Sequence, residues 1–396
     1  MDGRAERGDG RAERGDDRAP APPTILQRAP GLAARAALGA TEIETTQRLP
    51  GDLMRAMRDA DLFQMYVRPA VGGPGYDPLV AYLAVEALAR GDASAGWLSM
   101  VSSTTAWLTG WLPDAVLKEM VGDPCDFRVA GSSKPLGTAT SVAGGYRVTG
   151  RWDFASGIMH ANWVMAGCRV IDGNDAGAVR MMFLPAHEVQ IVETWTVVGM
   201  RGTGSHDIFA SNVFVPEERA ALATGTARSP LPLYSQRLLR VCTHGPVAAV
   251  TVGAALGAID DLAAIAEQPT TLNRRQLKQR PEVQRAIADA TARVRSARAF
   301  IIDNVGAAYE RVSNDRDPTL AVAQSRLAFA HACSESVRAV DEIIRVVGTP
   351  AAHLTSPLQR RARDLMVAQH FPSFDIAIHE NAGRVLLGLD PEGPGW

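Results

Sequence analysis

Apolar side chains recur every three or four positions from about Ile25 to Asp123. Leu53, Met54, Met57 and Leu62 fall on one helical face, and Leu79, Tyr82, Leu83, Val85, Leu88 and Ala89 make a broader, nearly buried one. Turn residues punctuate this region: Gly72-Gly73-Pro74-Gly75, then Gly91-Asp92, where Asp92 or Ser94 is placed to cap the next helix. From about Phe127 the period drops to two. Tyr146, Val148, Trp152 and Phe154 alternate with Arg147, Thr149, Arg151 and Asp153, the pattern of a half-buried antiparallel strand after a Gly144-Gly145 hairpin turn. Further strands are expected over residues 163–170, 179–184, 189–193 and 207–215, which together predict a small β-barrel or sandwich.

After Pro216 the helical spacing returns. Val283, Ile287, Ala290, Val294, Ala297, Ile301 and Val305 form a coiled-coil-like seam. Leu327, Ala330, Val337, Val340, Ile344 and Val347 form a second, which Gly348 and Pro350 stop. Long helices with short connections predict an antiparallel bundle. The order of helices, then β, then helices argues against a doubly wound α/β sheet. No strand leads through GxGxxG into a helix, so a dinucleotide site is not read. The predicted organisation is a low-complexity tail over 1–24, an N-terminal helical domain over 25–125, a middle β domain over 126–228 and a C-terminal helical bundle over 229–396. The tail repeats GRAERGD twice before a proline-rich stretch and has almost no apolar side chains, a composition that predicts disorder.

The chain has 396 residues, enough for two or three cooperating domains. Its formal net charge of −2 makes no electrostatic case for nucleic acid or an acidic membrane. The four cysteines lie far apart without metal-ligand or redox spacing and read as buried free thiols. No HxH, HExxH or clustered carboxylates support a metal, and no GxSxG supports a hydrolase. No apolar run reaches the roughly 18 residues that span a bilayer, and the polar N-terminus lacks the apolar core of a secretory signal. A cytoplasmic protein without a membrane partner is the expectation.

Several stretches, in this order, resemble the acyl-CoA dehydrogenase superfamily, and within it the two-component flavin monooxygenases related to hydroxyphenylacetate hydroxylase. They are Gly91-Asp92-Ala93-Ser94-Ala95-Gly96-Trp97; residues 144–152 followed by Phe154-Ala155-Ser156-Gly157; Met200-Arg201-Gly202-Thr203-Gly204-Ser205 and Val213-Phe214-Val215-Pro216, similar to later barrel strands; and Ser356-Pro357-Leu358-Gln359-Arg360 with Arg363-Asp364 and His370. The resemblance covers nearly everything after the tail. It implies a mainly α fold with a central β-barrel domain. It also implies an oxygenase component that takes FMNH2 or FADH2 from a separate NAD(P)H:flavin reductase, activates O2 as a C4a-hydroperoxyflavin and oxygenates a small organic substrate. Relatives are homotetramers packed through the C-terminal bundle, and the apolar seams agree.

The resemblance also names site residues. Ser156, between a strand and Gly157, is set to place its hydroxyl and backbone N–H near flavin N5; the alternative is a turn serine bonding its own backbone. His370 suits substrate deprotonation or protonation of a leaving oxygen, because imidazole changes charge near neutral pH. Trp152 and Phe154 share a strand face and are candidates to wall the isoalloxazine, core packing being the alternative. Ser132, Ser133 and Pro135, with Gly348 and Thr349, match cofactor-contacting stretches. Arg275, beside Arg274 and Arg280, is a candidate for a flavin phosphate. Arg363-Asp364 reads as a structural ion pair.

Two departures qualify the match. Residues 370–374 read His-Phe-Pro-Ser-Phe where many dehydrogenases carry a glutamate base, so desaturation of an acyl-CoA thioester is disfavoured and stays the alternative function only through Asp260 and Asp261 on another helix. Thr105 stands where many phenol hydroxylases of the branch have histidine, and threonine bonds a substrate but is no base near neutral pH. Thr105 with Trp107 is the expected substrate side.

Overall fold

A computed structural model describes residues 24–222, 226–267 and 276–393. The low-complexity tail and Arg275 lie outside these residues. Six helices come first: α1 (Ile25–Leu38), α2 (Ala40–Thr46), α3 (Gly51–Arg58), α4 (Pro78–Gly91), α5 (Ala93–Ala106) and α6 (Asp114–Val121). Local chemistry sets their starts. The Asp77 carboxylate accepts from the backbone of Leu79 and Val80 with Pro78 in the first turn, and Asp92, not Ser94, caps α5 by accepting from Ala95. Between them α4 ends on Gly91, where a Cβ would lie 2.0 Å from the Ala33 carbonyl oxygen, so only glycine allows α1 and α4 to cross this closely.

The middle of the chain forms one mixed sheet from β1 (Val129–Val142), β2 (Gly145–Trp152), β3 (Trp163–Val170), β4 (Val179–Pro185), β5 (Gln190–Val192), β6 (Asp207–Pro216) and β7 (Ala220–Ala221). Its order is β5-β6-β2-β1-β3-β4-β7. Neighbours run antiparallel except β1 and β3, which are parallel. β1 loses register between Ser132 and Gly137, so Ser133 to Leu136 bulge outward into solvent. The sheet encloses its own core, with Tyr146, Val148, Trp152, Val164, Cys168 and Ile208 inside.

Five helices follow: α7 (Leu239–Ala266), α8 (Pro281–Ser313), α9 (Thr319–Val347), α10 (Pro357–Ala368) and α11 (Ala377–Leu386). The seam of α8 is buried as its spacing predicts, with Ile287 half-buried, and α9 stops at Gly348, whose φ of +71° suits glycine. An 18-residue window of α7 has mean hydropathy 1.6, apolar enough to cross a membrane, but most of it is buried inside the protein. α7 packs on α4, α5, α8 and α9, so helices from the first and last thirds share one hydrophobic core while the sheet keeps another.

Candidate functional site

Two turns of the sheet meet the N-terminus of α5 and build the site. The strand geometry of β2 ends at Trp152, and Phe154 adopts φ +60°. The turn that follows is laced to residues 203–206: the Ala155 N–H donates to the His206 carbonyl and the Gly157 N–H to that of Thr203, each at 2.9 Å. The second turn is itself tight, with Met200 and Gly204 both left-handed. Lacing brings three buried hydroxyls into line. Ser156 Oγ lies 2.7 Å from Ser205 Oγ, Ser205 Oγ lies 2.7 Å from Thr203 Oγ1, and Thr203 Oγ1 donates to the Met200 carbonyl at 2.8 Å. From α5, Trp97 Nε1 donates to Ser156 Oγ at 3.1 Å.

Ser156 borders a narrow pocket lined also by Phe63, Leu98, Ser102, Arg128 and His160. Arg128 and His160 continue into a wider opening with Arg55 and Arg58. His160 Nε2 accepts from the Leu49 backbone, and burial with nearby Arg48 and Arg128 pushes its pKa down to about 4, so it is a neutral acceptor near pH 7. Trp97 links this pocket to a second group of residues. Phe371 meets Trp97 edge-on at 5.7 Å, and His244 of α7 meets Phe371 at 6.3 Å. His244 stands 3.3 Å from an Arg240 nitrogen, and burial with Arg240 and Arg326 lowers its pKa to about 3.

Models of the acyl-CoA dehydrogenase N-terminal and C-terminal domains match residues 29–111 and 246–375. Together these stretches cover more than half of the chain. The chain belongs to the acyl-CoA dehydrogenase family. Its branch follows from its relatives. It is 29% identical over 363 residues to indole-3-acetate monooxygenase of Pseudomonas putida, covering 91% of this chain and 92% of that protein. It is 28% identical over 381 residues to the flavin-dependent monooxygenase oxygenase subunit HsaA of Rhodococcus jostii RHA1, covering 93% and 95%. The structure of XiaF from Streptomyces sp. in complex with FADH2 and glycerol superposes with a TM-score of 0.82 at 25% identity, covering 93% and 96%. The chain is an oxidoreductase of the flavin-dependent monooxygenase branch.

The residues present in this acyl-CoA dehydrogenase-family chain fit a flavin. The Phe154 ring is 58% exposed, with Lys134 Nζ 5.3 Å above it and Trp195 edge-on at 6.2 Å. Lys134 pairs with Asp153, which draws the Ser132–Pro135 bulge to the same surface as Phe154. Ser133 and Pro135 are exposed there and Ser132 is half-buried. Serine hydroxyls, an ammonium and a bare aromatic face are donors and packing suited to a planar, polar ring system.

Other predicted residues are placed differently from the sequence reading. Trp152 is fully buried in the sheet core, its Nε1 donating to the Gly167 carbonyl at 2.8 Å, so it walls no cofactor and shares no face with Phe154. Trp107 is likewise fully buried, donating to the Leu233 carbonyl at 2.7 Å and packed on Trp111 and Tyr234. It is core and not a pocket wall. Thr105 is buried two turns beyond Trp97 on α5. The Ser156 N–H is taken by the Phe154 carbonyl, which leaves only its hydroxyl for a ligand. His370 is exposed, and the neighbouring Phe371 enters the site instead. Gly348 and Thr349 are exposed at the end of α9.

Arg363 and Asp364 do not pair with each other. Arg363 bonds Glu44 and the Val198 carbonyl, while Asp364 Oδ1 accepts from the Met200 N–H at 2.6 Å; the pair clamps the turn that carries Thr203 and Ser205. Asp260 is held by Arg90 and Asp261 by Arg361, roughly 24 Å along α7 from His244 at 1.5 Å per residue. Sequence reasoning missed Ser205, Thr203, Trp97, Phe371, Arg240, His244 and Arg326. Thr203, Ser205 and Trp97 lie in stretches that carry the resemblance, but the turn around Thr203 falls between the expected strands over 189–193 and 207–215 and has no periodicity to read. His244 and Arg240 follow no local pattern.

Proposed function

We propose that this flavin-dependent monooxygenase is an oxygenase component that takes reduced flavin, FMNH2 or FADH2, from a separate NAD(P)H:flavin reductase and oxygenates a small aromatic substrate. One observation carries the choice over desaturation. Among the described residues no carboxylate lines the pocket against Ser156, and Asp260 and Asp261 are held in ion pairs far along α7. Removal of a thioester α-proton needs such a base within hydrogen-bond reach. Bound reduced flavin supplies the two electrons with which O2 is split, one oxygen atom going to the substrate and the other leaving as water.

The protein's own part is to bind, orient and keep water out. The Ser156 hydroxyl holds the edge of the ring from the sheet side. Phe154 and the Ser132–Pro135 bulge support its face, and Gly348-Thr349 reach the remainder of the cofactor. Trp97 and Phe371 form an apolar wall against solvent, which a reactive site requires. Thr105 bonds the substrate's polar group. His370, exposed beside Phe371, exchanges the substrate proton with water. His244, held neutral by its pKa of about 3, is an acceptor and a poor base in this setting. The term oxygenase subunit in a relative's name supports the separate reductase. Exposed Leu354, Met366, Ile376, Leu386 and Leu387 in the C-terminal segment support assembly as a homotetramer through the bundle.

The deciding measurement supplies the protein with reduced FAD or FMN and 18O2 over a panel of phenols, indoles and other aromatics. One 18O atom per product molecule supports the proposal. Bleaching of bound oxidised flavin by an acyl-CoA thioester, with no oxygen incorporated from any aromatic, overturns it.

A further inference from the structure

We infer that the hydroxyl chain behind Ser156 fixes this side chain as a hydrogen-bond acceptor, and that the site thereby selects reduced over oxidised flavin. The inference rests on the flavin reading above and adds Thr203, Ser205 and Trp97 as positioning residues. Three hydroxyls here share three contacts, and only one arrangement of their protons satisfies all of them. A carbonyl cannot donate, so the 2.8 Å contact between Thr203 Oγ1 and the Met200 oxygen uses the threonine proton. The 2.7 Å contact between Thr203 and Ser205 then needs the proton of Ser205. The 2.7 Å contact between Ser205 and Ser156 needs that of Ser156. At the other end the Trp97 indole N–H can only donate, and it fills one lone pair of Ser156. What Ser156 can still offer a ligand is its second lone pair.

The order is held in place. Ser156, Thr203 and Ser205 are all buried, and the terminal Met200 is pinned through its N–H to Asp364. Reversing the chain would turn a lone pair of Thr203 Oγ1 toward the Met200 oxygen at 2.8 Å, a repulsive contact that the other donors to that oxygen, the Trp195 indole N–H and the Thr203 N–H, do not relieve. A lone pair at this position meets the two redox states of a flavin differently. The N5 of reduced flavin carries a proton and donates to Ser156. The N5 of oxidised flavin is itself an acceptor, so two lone pairs would face each other. An oxygenase that receives reduced flavin from another protein gains from this, because oxidised flavin formed in the reaction is released.

The test measures dissociation constants of FAD and FMN, each oxidised and photoreduced without oxygen, for the wild type and for Thr203→Val, Thr203→Ser and Ser205→Ala. In the valine variant the chain loses its terminus, so Ser205 can donate to Ser156 and Ser156 can donate to oxidised N5. The wild type is expected to bind the reduced form tighter. Thr203→Val is expected to narrow the ratio about tenfold, the effect of one hydrogen bond of roughly 1.4 kcal/mol, mainly by tightening oxidised flavin. Thr203→Ser keeps the chain and is expected to keep the ratio. Ser205→Ala, checked for folding by circular dichroism, narrows it as well and serves if the valine variant does not fold. A wild type that binds both forms equally, or a ratio unchanged in Thr203→Val and Ser205→Ala, overturns the inference while leaving the flavin reading intact. Binding of neither form by the wild type overturns the flavin reading and this inference with it.

Discussion

Asp364 shows how much one buried group can set. Burial and the neighbouring Asp92 push its pKa up from 3.8 to about 7, although the Met200 N–H stabilises its charge. A carboxyl whose folded pKa lies above its unfolded one binds an extra proton in the folded state between the two values. Its contribution to stability is therefore complete below about pH 4 and is lost as pH rises through about 7. Asp364→Asn keeps an oxygen for Met200 but removes the titration. Thermal unfolding from pH 4 to pH 8 should show the variant's midpoint declining less than that of the wild type. A decline identical in both proteins would refute this reading of Asp364. At the same scale, Ser156 was legible because a strand, a hydroxyl and a glycine follow one another. Phe154 was misread because alternation was carried past Trp152, where the left-handed backbone of Phe154 ends the strand and turns its ring to the surface. Trp107 and Trp152 carry no mark in sequence that separates a pocket wall from core. Their indole N–H groups had to be seen bonded to buried carbonyls.

The helices were legible as elements because apolar spacing reports burial directly; the seam of α8 became the bundle interior, while in α9 Ala330, Val340 and Val347 are buried and Leu327, Val337 and Ile344 only half-buried. The connections were not, because turn geometry depends on partners far off in the chain. Residues 200–205 fall between two expected strands and form a turn clamped by α10, through Asp364 on Met200 and Arg363 on Val198. The crossing of α1 and α4 depends on Gly91 in the same non-local way. Gly91→Ala places a methyl carbon 2.0 Å from a backbone oxygen, which neither helix can yield without moving. The expected loss is at least about 1–3 kcal/mol, the usual cost of overpacking, read from the midpoint of urea unfolding. An unchanged midpoint would mean that the two helices do not cross at this spacing.

At the scale of the whole molecule, the C-terminal segment leaves Leu354, Ile376 and Leu387 each more than 70% exposed. A homotetramer that covers them predicts that Ile376→Lys with Leu387→Lys lowers the mass seen by sedimentation, with helical content retained. A wild-type chain that sediments as a monomer would reject assembly through this face. The shared helical core also bears on how the chain emerges from the ribosome. The apolar face of α4 is covered by α7, and the sheet lies between them in sequence. At roughly 5–20 residues per second, on the order of ten to thirty-five seconds separate synthesis of the two helices. The sheet has its own interior and can close in that interval. The face of α4 that α7 covers cannot be buried in that interval, so a growing chain displays an apolar surface until α7 has left the ribosome.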